Sequence, residues 1–152
     1  MTAYFDTSVV TKWYLPEPDS ADALRVRARF SPPAVLTHLH RVELVTAWHL
    51  KVFRREIAKE IVDQAWGHVE DDVAAGLWQL PDYDPVEVYS EAESLSRRHT
   101  ATLGARSLDI LHVAAAIVLE ASAFVTHDGR QARLAKVAGL RVTTLRAHAA
   151  QR

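Results

Sequence analysis

The 152-residue chain contains no cysteine. That absence excludes a disulfide framework, a thiolate nucleophile, a Cys-ligated zinc and an iron–sulfur cluster. Glycine and proline are scarce, at five and six residues, which excludes collagen-like and low-complexity architectures. Long hydrophobic runs are lacking too: the longest weakly polar stretch, Ile110 to Leu119, is about half of what a membrane span requires, so no membrane association is expected. The opening MTAYFDTSVV has no basic segment of the kind that starts a secretory signal, and together with the missing cysteines this points to a cytoplasmic protein. What is present, 49% hydrophobic and 24% charged residues, is the composition of one soluble domain over residues 1–152. A chain of that length buries about two-thirds of its unfolded surface.

The formal net charge of −1 conceals a division. Residues 1–96 carry nine Lys/Arg against sixteen Asp/Glu, and residues 97–152 nine against three. A basic half can meet a polyanion, or it can be an unevenly charged solvated surface.

Apolar segments alternate between strand-like and helix-like. Ala3 to Phe5 reads as a strand, followed at once by a helix carrying Val9, Val10, Trp13 and Tyr14. Asp19 to Phe30 reads as a helix with Asp19 or Ser20 as cap, Ala34 to Thr37 as a strand, and His38 to Arg55 and Ile57 to Ala75 as helices. Leu77 to Leu80 is strand-like, Val86 to Thr100 and Leu108 to Glu120 are helical, Ala123 to Thr126 is a strand, Gly129 to Ala138 a helix and Leu140 to Leu145 the last strand; a helical tail beyond it remains open. Strands alternating with helices, without hairpin signals, predict an α/β protein with a parallel sheet between helical layers.

In such a sheet, ligands bind beyond the carboxyl ends of the strands, and four acids stand where that rule directs attention. Asp6 directly follows the first strand; its bland role is N-cap of the next helix. Glu43 lies on or beside the stripe Leu39, Val42, Thr46, Ala47, Leu50 and Phe53, the expected buried face of its helix. A carboxylate there needs a cation or a partner such as Arg41, because leaving it unpaired away from water costs several kcal/mol. Asp109 opens a helix that is apolar on nearly every side, where an acid in the first turn also suits the helix dipole and Ser107 is a candidate cap. His112, one turn on, reads as a hydrogen-bonded core histidine. Asp128 follows Ala123 to Thr126 and precedes Gly129, the pattern of an Asp-Gly turn and N-cap, with His127 beside it as a turn residue. Converging at one sheet edge, four carboxylates would repel each other unless they held a hard divalent cation such as Mg²⁺ or Mn²⁺. Acidic sites of that kind serve the in-line attack of water on phosphodiesters.

Four segments in order, Tyr4-Phe5-Asp6-Thr7-Ser8, Val42-Glu43-Leu44, Leu108-Asp109-Ile110-Leu111-His112-Val113-Ala114-Ala115-Ala116 and Phe124-Val125-Thr126-His127-Asp128, resemble the PIN-domain ribonucleases, and among them the VapC toxins of prokaryotic toxin–antitoxin modules. The resemblance covers nearly the whole chain. It implies a three-layer α/β/α fold with a central parallel sheet, a Mg²⁺ or Mn²⁺ site, endoribonuclease activity, and a homodimer inhibited by a cognate antitoxin. By position it implies Asp6 and Asp109 as principal metal ligands, Glu43 and Asp128 completing the acidic site, and Ser8 and Thr126 as supporting hydroxyls. Arg97, Arg98, Arg106 and Arg130, close in sequence to these acids, are candidates for RNA phosphate contacts. Two other readings compete. A phosphotransferase of the haloacid dehalogenase type would need a second Asp two residues after the first, where Ser8 stands. A non-catalytic PIN-like module binding RNA or protein would not need all four acids.

Overall fold

The computed structural model describes residues 2–145. Along it run β1 (Ala3–Phe5), α1 (Thr7–Tyr14), α2 (Ser20–Arg27), β2 (Ala34–Val35), α3 (His38–Phe53), α4 (Lys59–Ala74), β3 (Trp78–Gln79), α5 (Pro85–Leu103), α6 (Ser107–Val118), β4 (Ala123–Thr126), α7 (Gly129–Val137) and β5 (Val142–Thr144). Each expected strand and helix is present, mostly shortened at its ends. The helical tail beyond Leu145 lies outside the described residues.

All strand pairings are parallel. One ladder has the order β1-β4-β5, with Tyr4 opposite Phe124 and Phe124 opposite Val142; β2 and β3 form a second, two-stranded ladder, and β2 lies beside β1. Side chains alternate across a strand, and this alternation divides the core. Ala3, Phe5 and Val125 face one layer with Val9, Val10, Leu44, Trp48, Val62 and Val69 from α1, α3 and α4. Tyr4 and Phe124 face the other with Leu95, Val113, Ala114 and Leu134 from α5, α6 and α7. The result is a three-layer α/β/α fold. Among the described residues no helix is long and apolar enough to cross a membrane.

Local sequence explains several boundaries. Asp84 caps α5, accepting from the Val86 amide at 2.8 Å, and Pro85 occupies the first turn, where its missing N–H costs nothing. Gly104 ends α5 at φ 65°, a left-handed conformation that glycine adopts without strain. The chain thereby turns into α6, the helix that starts at the acidic edge. Ser107 is the first residue of α6 rather than its cap, which is Arg106 without a side-chain bond. Asp19 makes no cap bond either; its carboxylate takes the buried Lys12 ammonium at 2.8 Å.

Helix α3 corrects the expected burial. Its buried residues are His40, Leu44 and Trp48, spaced i, i+4, i+8, whereas Val42, Leu50 and Phe53 of the expected stripe are exposed at 64%, 42% and 83%. Trp48 decides the matter: it is fully buried, and its indole N–H reaches Thr11 Oγ1 at 2.8 Å, anchoring α3 on α1. A Trp side chain buries more apolar surface than any residue of the competing stripe. The exposed stripe borders a groove of about 430 Å³ running past Thr7, Thr11 and Leu108.

The two faces of α3 should separate in urea denaturation. Leu44→Ala should cost about 2–5 kcal/mol, while Val42→Ser and Phe53→Ser stay within about 0.5 kcal/mol. The reverse ranking would mean that the helix is rotated.

Candidate active site at the carboxyl edge of the sheet

Because β1 and β4 run parallel in register, their carboxyl ends reach the same edge. The Asp6 amide continues the ladder by donating to Val125 O at 2.9 Å. Its carboxylate, 4% exposed, caps α1: Oδ1 accepts from Ser8 Oγ at 2.7 Å and from the Val9 amide at 3.3 Å, and Oδ2 meets Thr126 Oγ1 at 2.9 Å. The cap role and a place in an acidic site therefore coexist. Burial pushes the Asp6 carboxyl up to about 6, against the opposing influence of His112 and these hydrogen bonds.

Thr126 ties Asp6 to Asp128. Its hydroxyl accepts from the Asp128 amide at 3.0 Å and has a single proton for two acceptors, Asp6 Oδ2 and Gln131 Oε1 at 2.8 Å. Asp128 caps α7 with Oδ1, which accepts from the amides of Arg130 at 2.8 Å and Gln131 at 3.0 Å. Ser8 Oγ also accepts from the His127 amide at 3.2 Å, closing the turn after β4 against α1.

Asp109, in the first turn of α6, is half-buried, and its carboxylate makes no side-chain hydrogen bond among the described residues. Desolvation raises its pKa, and the neighbouring charge of Asp128 raises it further. Glu43 is handled differently. Burial alone would raise its pKa, but His112 and Thr7 outweigh that and hold it below the usual carboxylate value. Thr7 Oγ1 donates to Glu43 Oε2 at 2.7 Å, and His112 Nε2 makes a short contact with the same oxygen. Arg41 is not the partner of Glu43: it pairs with Glu70 at 2.7 Å and stacks over Trp66.

A cleft of about 440 Å³ is lined by Glu43, Arg106, Ser107, Leu108, Asp109, Asp128 and Arg130. Three of the four acids thus share one surface with two arginines. Asp6 is not in the lining and joins the group through Ser8, Thr126 and the turn to Asp128. Arg97 and Arg98 are elsewhere: on α5 they pair with acids of their own helix, Arg97 with Glu93 at 2.5 Å and Arg98 with Glu91 at 3.5 Å. They are close to the acids in sequence, but α5 ends at Leu103 and the turn at Gly104 separates it from Arg106 and the cleft lining. The arrangement also contains residues that the sequence left without a role at the site: Thr7, Tyr4, His40 and Gln131. Thr7 sat within a cap motif and Tyr4 within an apolar strand, and neither signal points to Glu43.

The donor set is carboxylate oxygen throughout, and Asp109, raised by burial and by the neighbouring charge of Asp128, is the acid whose ionised form a cation would favour. Among the described residues no three Asp, Glu or His side chains already stand in a common coordination geometry; Asp6 and Asp128 direct oxygens to helix amides instead. In donor chemistry the residues suit a hard divalent cation, and three of them line one cleft.

A sequence profile of the PIN domain matches residues 3–137, from β1 to the end of α7. The chain belongs to the PIN domain family. No curated protein matches the chain. PIN domains are typically nucleases, and this one carries its acids at the carboxyl edge of the parallel sheet.

The Asp6 environment sets a pH test on metal-free protein. A carboxyl raised from 3.8 to about 6 on folding binds its proton more tightly in the folded state. Its burden is therefore fully present above about pH 6 and is relieved as pH falls toward 4, a difference of about 3 kcal/mol at most. In Asp6→Asn the amide can donate to Thr126, releasing that hydroxyl's proton to Gln131. In chemical denaturation with EDTA, Asp6→Asn should be more stable than wild type at pH 7.5, by about 1–3 kcal/mol, with the advantage fading at pH 4.5. A variant destabilised equally at both pH values would refute this account.

Proposed function

We propose that this PIN domain is an endoribonuclease dependent on Mg²⁺ or Mn²⁺, forming one nuclease domain over residues 1–152 and acting as the toxin of a VapC-type toxin–antitoxin pair in the cytoplasm. The observation that carries the nuclease reading is the cleft in which Glu43, Asp109 and Asp128 meet Arg106 and Arg130, acids for a cation beside guanidinium groups for a phosphate.

Asp6, Asp109, Glu43 and Asp128 would hold the cation. When bound there, it would polarise water for attack and neutralise charge on the leaving oxygen. Arg106 and Arg130 seat the phosphate, and because guanidinium groups can bind it bidentately they fix the orientation of the scissile bond. Glu43, held ionised by its two donors, would complete the acidic site and orient the attacking water. Ser8 and Thr126 keep Asp6 in place. Attack in line on phosphorus leaves 5′-phosphate and 3′-hydroxyl ends. The toxin role, the homodimer and the cognate antitoxin follow from the likeness of the four motifs to VapC proteins.

The test is incubation of purified protein with total cellular RNA, with Mg²⁺ or Mn²⁺ and with EDTA, beside Asp6→Asn and Asp109→Asn. Cleavage should require the metal and vanish in both variants, and end mapping should find 5′-phosphates. Products ending in a 2′,3′-cyclic phosphate would overturn the mechanism, since they need the ribose 2′-hydroxyl as nucleophile. Metal-independent RNA binding without cleavage, unaltered in the variants, would favour a non-catalytic module.

A further inference from the structure

Helix α6 is apolar along most of its length, yet its second turn carries His112, 2% exposed. An apolar residue would avoid the desolvation of an imidazole there, so the ring's contacts must explain its presence. Nδ1 lies 2.8 Å from the hydroxyl of Tyr4, which is fully buried. Nε2 contacts Glu43 Oε2 and lies 3.2 Å from Thr7 Oγ1. The Thr7 hydroxyl gives its single proton to Glu43, so toward the imidazole it can only accept. Both neighbours of Nε2 are therefore acceptors, and Nε2 carries the proton.

A second buried histidine supports the same corner. His40 Nε2 faces the Phe5 carbonyl at 2.7 Å, and Nδ1 faces the Thr37 amide at 3.0 Å. A carbonyl only accepts and an amide only donates, so the ring is the Nε2–H tautomer. It pins the first turn of α3 to the last carbonyl of β1, the residue before Asp6, and packs edge-on against His112 with centroids 4.9 Å apart. Two helices and a strand are thus bolted together around Glu43. Both donors reach the same carboxylate oxygen, Oε2, and among the described residues Oε1 takes no hydrogen bond.

We infer that His112 is a positioning residue of the acidic site: held in rotation by Tyr4 and braced by His40, it presents one proton to Oε2 of Glu43 and leaves Oε1 as the oxygen available to a divalent cation. The inference rests on Glu43 being a cation ligand, as proposed above. Hydrogen-bond partners of metal-ligating carboxylates commonly alter metal affinity by about 10–100-fold when removed.

Mn²⁺ binding to the metal-free protein, followed by electron paramagnetic resonance of the unbound ion with melting temperatures in parallel, tests this without any cleavage assay. His112→Leu should weaken Mn²⁺ binding by about 10–100-fold, whereas His112→Gln, whose amide can reach Glu43, should stay within about threefold. Tyr4→Phe, which removes only the hydroxyl, should weaken binding in the same direction and serves if His112→Leu does not fold. In the Glu43→Gln background, His112→Leu should weaken binding no further, because it acts through the carboxylate. An undiminished second loss in that background would overturn the inference, as would wild-type affinity in both His112→Leu and Tyr4→Phe while Glu43→Gln binds weakly. Wild-type affinity in Glu43→Gln would instead overturn the assignment of Glu43 as a ligand.

Discussion

The parallel pairing of β1 with β4 is the constraint on which the site depends. With Phe5 opposite Val125 and the Asp6 amide bonded to Val125 O at 2.9 Å, the first acid is delivered to the edge where β4 ends and the Asp128 turn begins. An antiparallel pair would send these two acids to opposite ends of the sheet. The parallel arrangement also requires long crossovers, and α6, the helix entering β4, is the one that brings Asp109 to the same edge. Three acids are therefore placed by chain topology before any side chain makes a contact.

The four carboxylates are stabilised to different degrees. Glu43 has two donors on one oxygen and is held ionised; Asp6 is surrounded by neutral donors that only partly offset its burial. Asp109 and Asp128 line the open cleft beside Arg106 and Arg130, Asp128 with one oxygen held by two helix amides and Asp109 without such a cap. The acid with the fewest hydrogen bonds, Asp109, thus lies in the open part of the site, and the most deeply buried one, Asp6, is tied to the Asp128 turn by the Thr126 hydroxyl. That gradient suits a centre whose charge is to be balanced by something entering from solvent.

Helix α3 links packing to chemistry. One face, His40, Leu44 and Trp48, seats it on the sheet and α1; the adjoining position, Glu43, reaches the cleft; the outer stripe of Val42, Leu50 and Phe53 stays exposed. Because His40 and Glu43 are one turn apart, the hydrogen bond from His40 to Phe5 O that fixes the helix also fixes the distance from Glu43 to the end of β1. Rigidity at the site is thus a property of the buried polar network between Tyr4, His40, His112 and Thr7 as much as of the apolar layers.

Much of this was legible in the amino-acid order because it depends on short-range signals. Ala3 to Phe5 and Ala123 to Thr126 announce strands by apolar runs cut off by Asp and Ser or Gly, and an acid placed just past a parallel strand must project from the sheet edge. The caps by Asp6 and Asp128 were likewise local. The burial of α3 was not, because apolar residues lie around most of its circumference and a 3.6-residue period fits more than one stripe; only the seat for Trp48 between α1 and α4 selects the face. The partner of Glu43 was beyond reach for the same reason, since His112 lies 69 positions away and nothing local distinguishes it from Arg41. Sorting Arg106 and Arg130 from Arg97 and Arg98 needed the turn at Gly104, which separates residues that adjoin in sequence. Local periodicity and turn chemistry determined the elements and the acids at their ends, while contacts between distant segments decided which faces are buried, which charges are paired and which remain to bind.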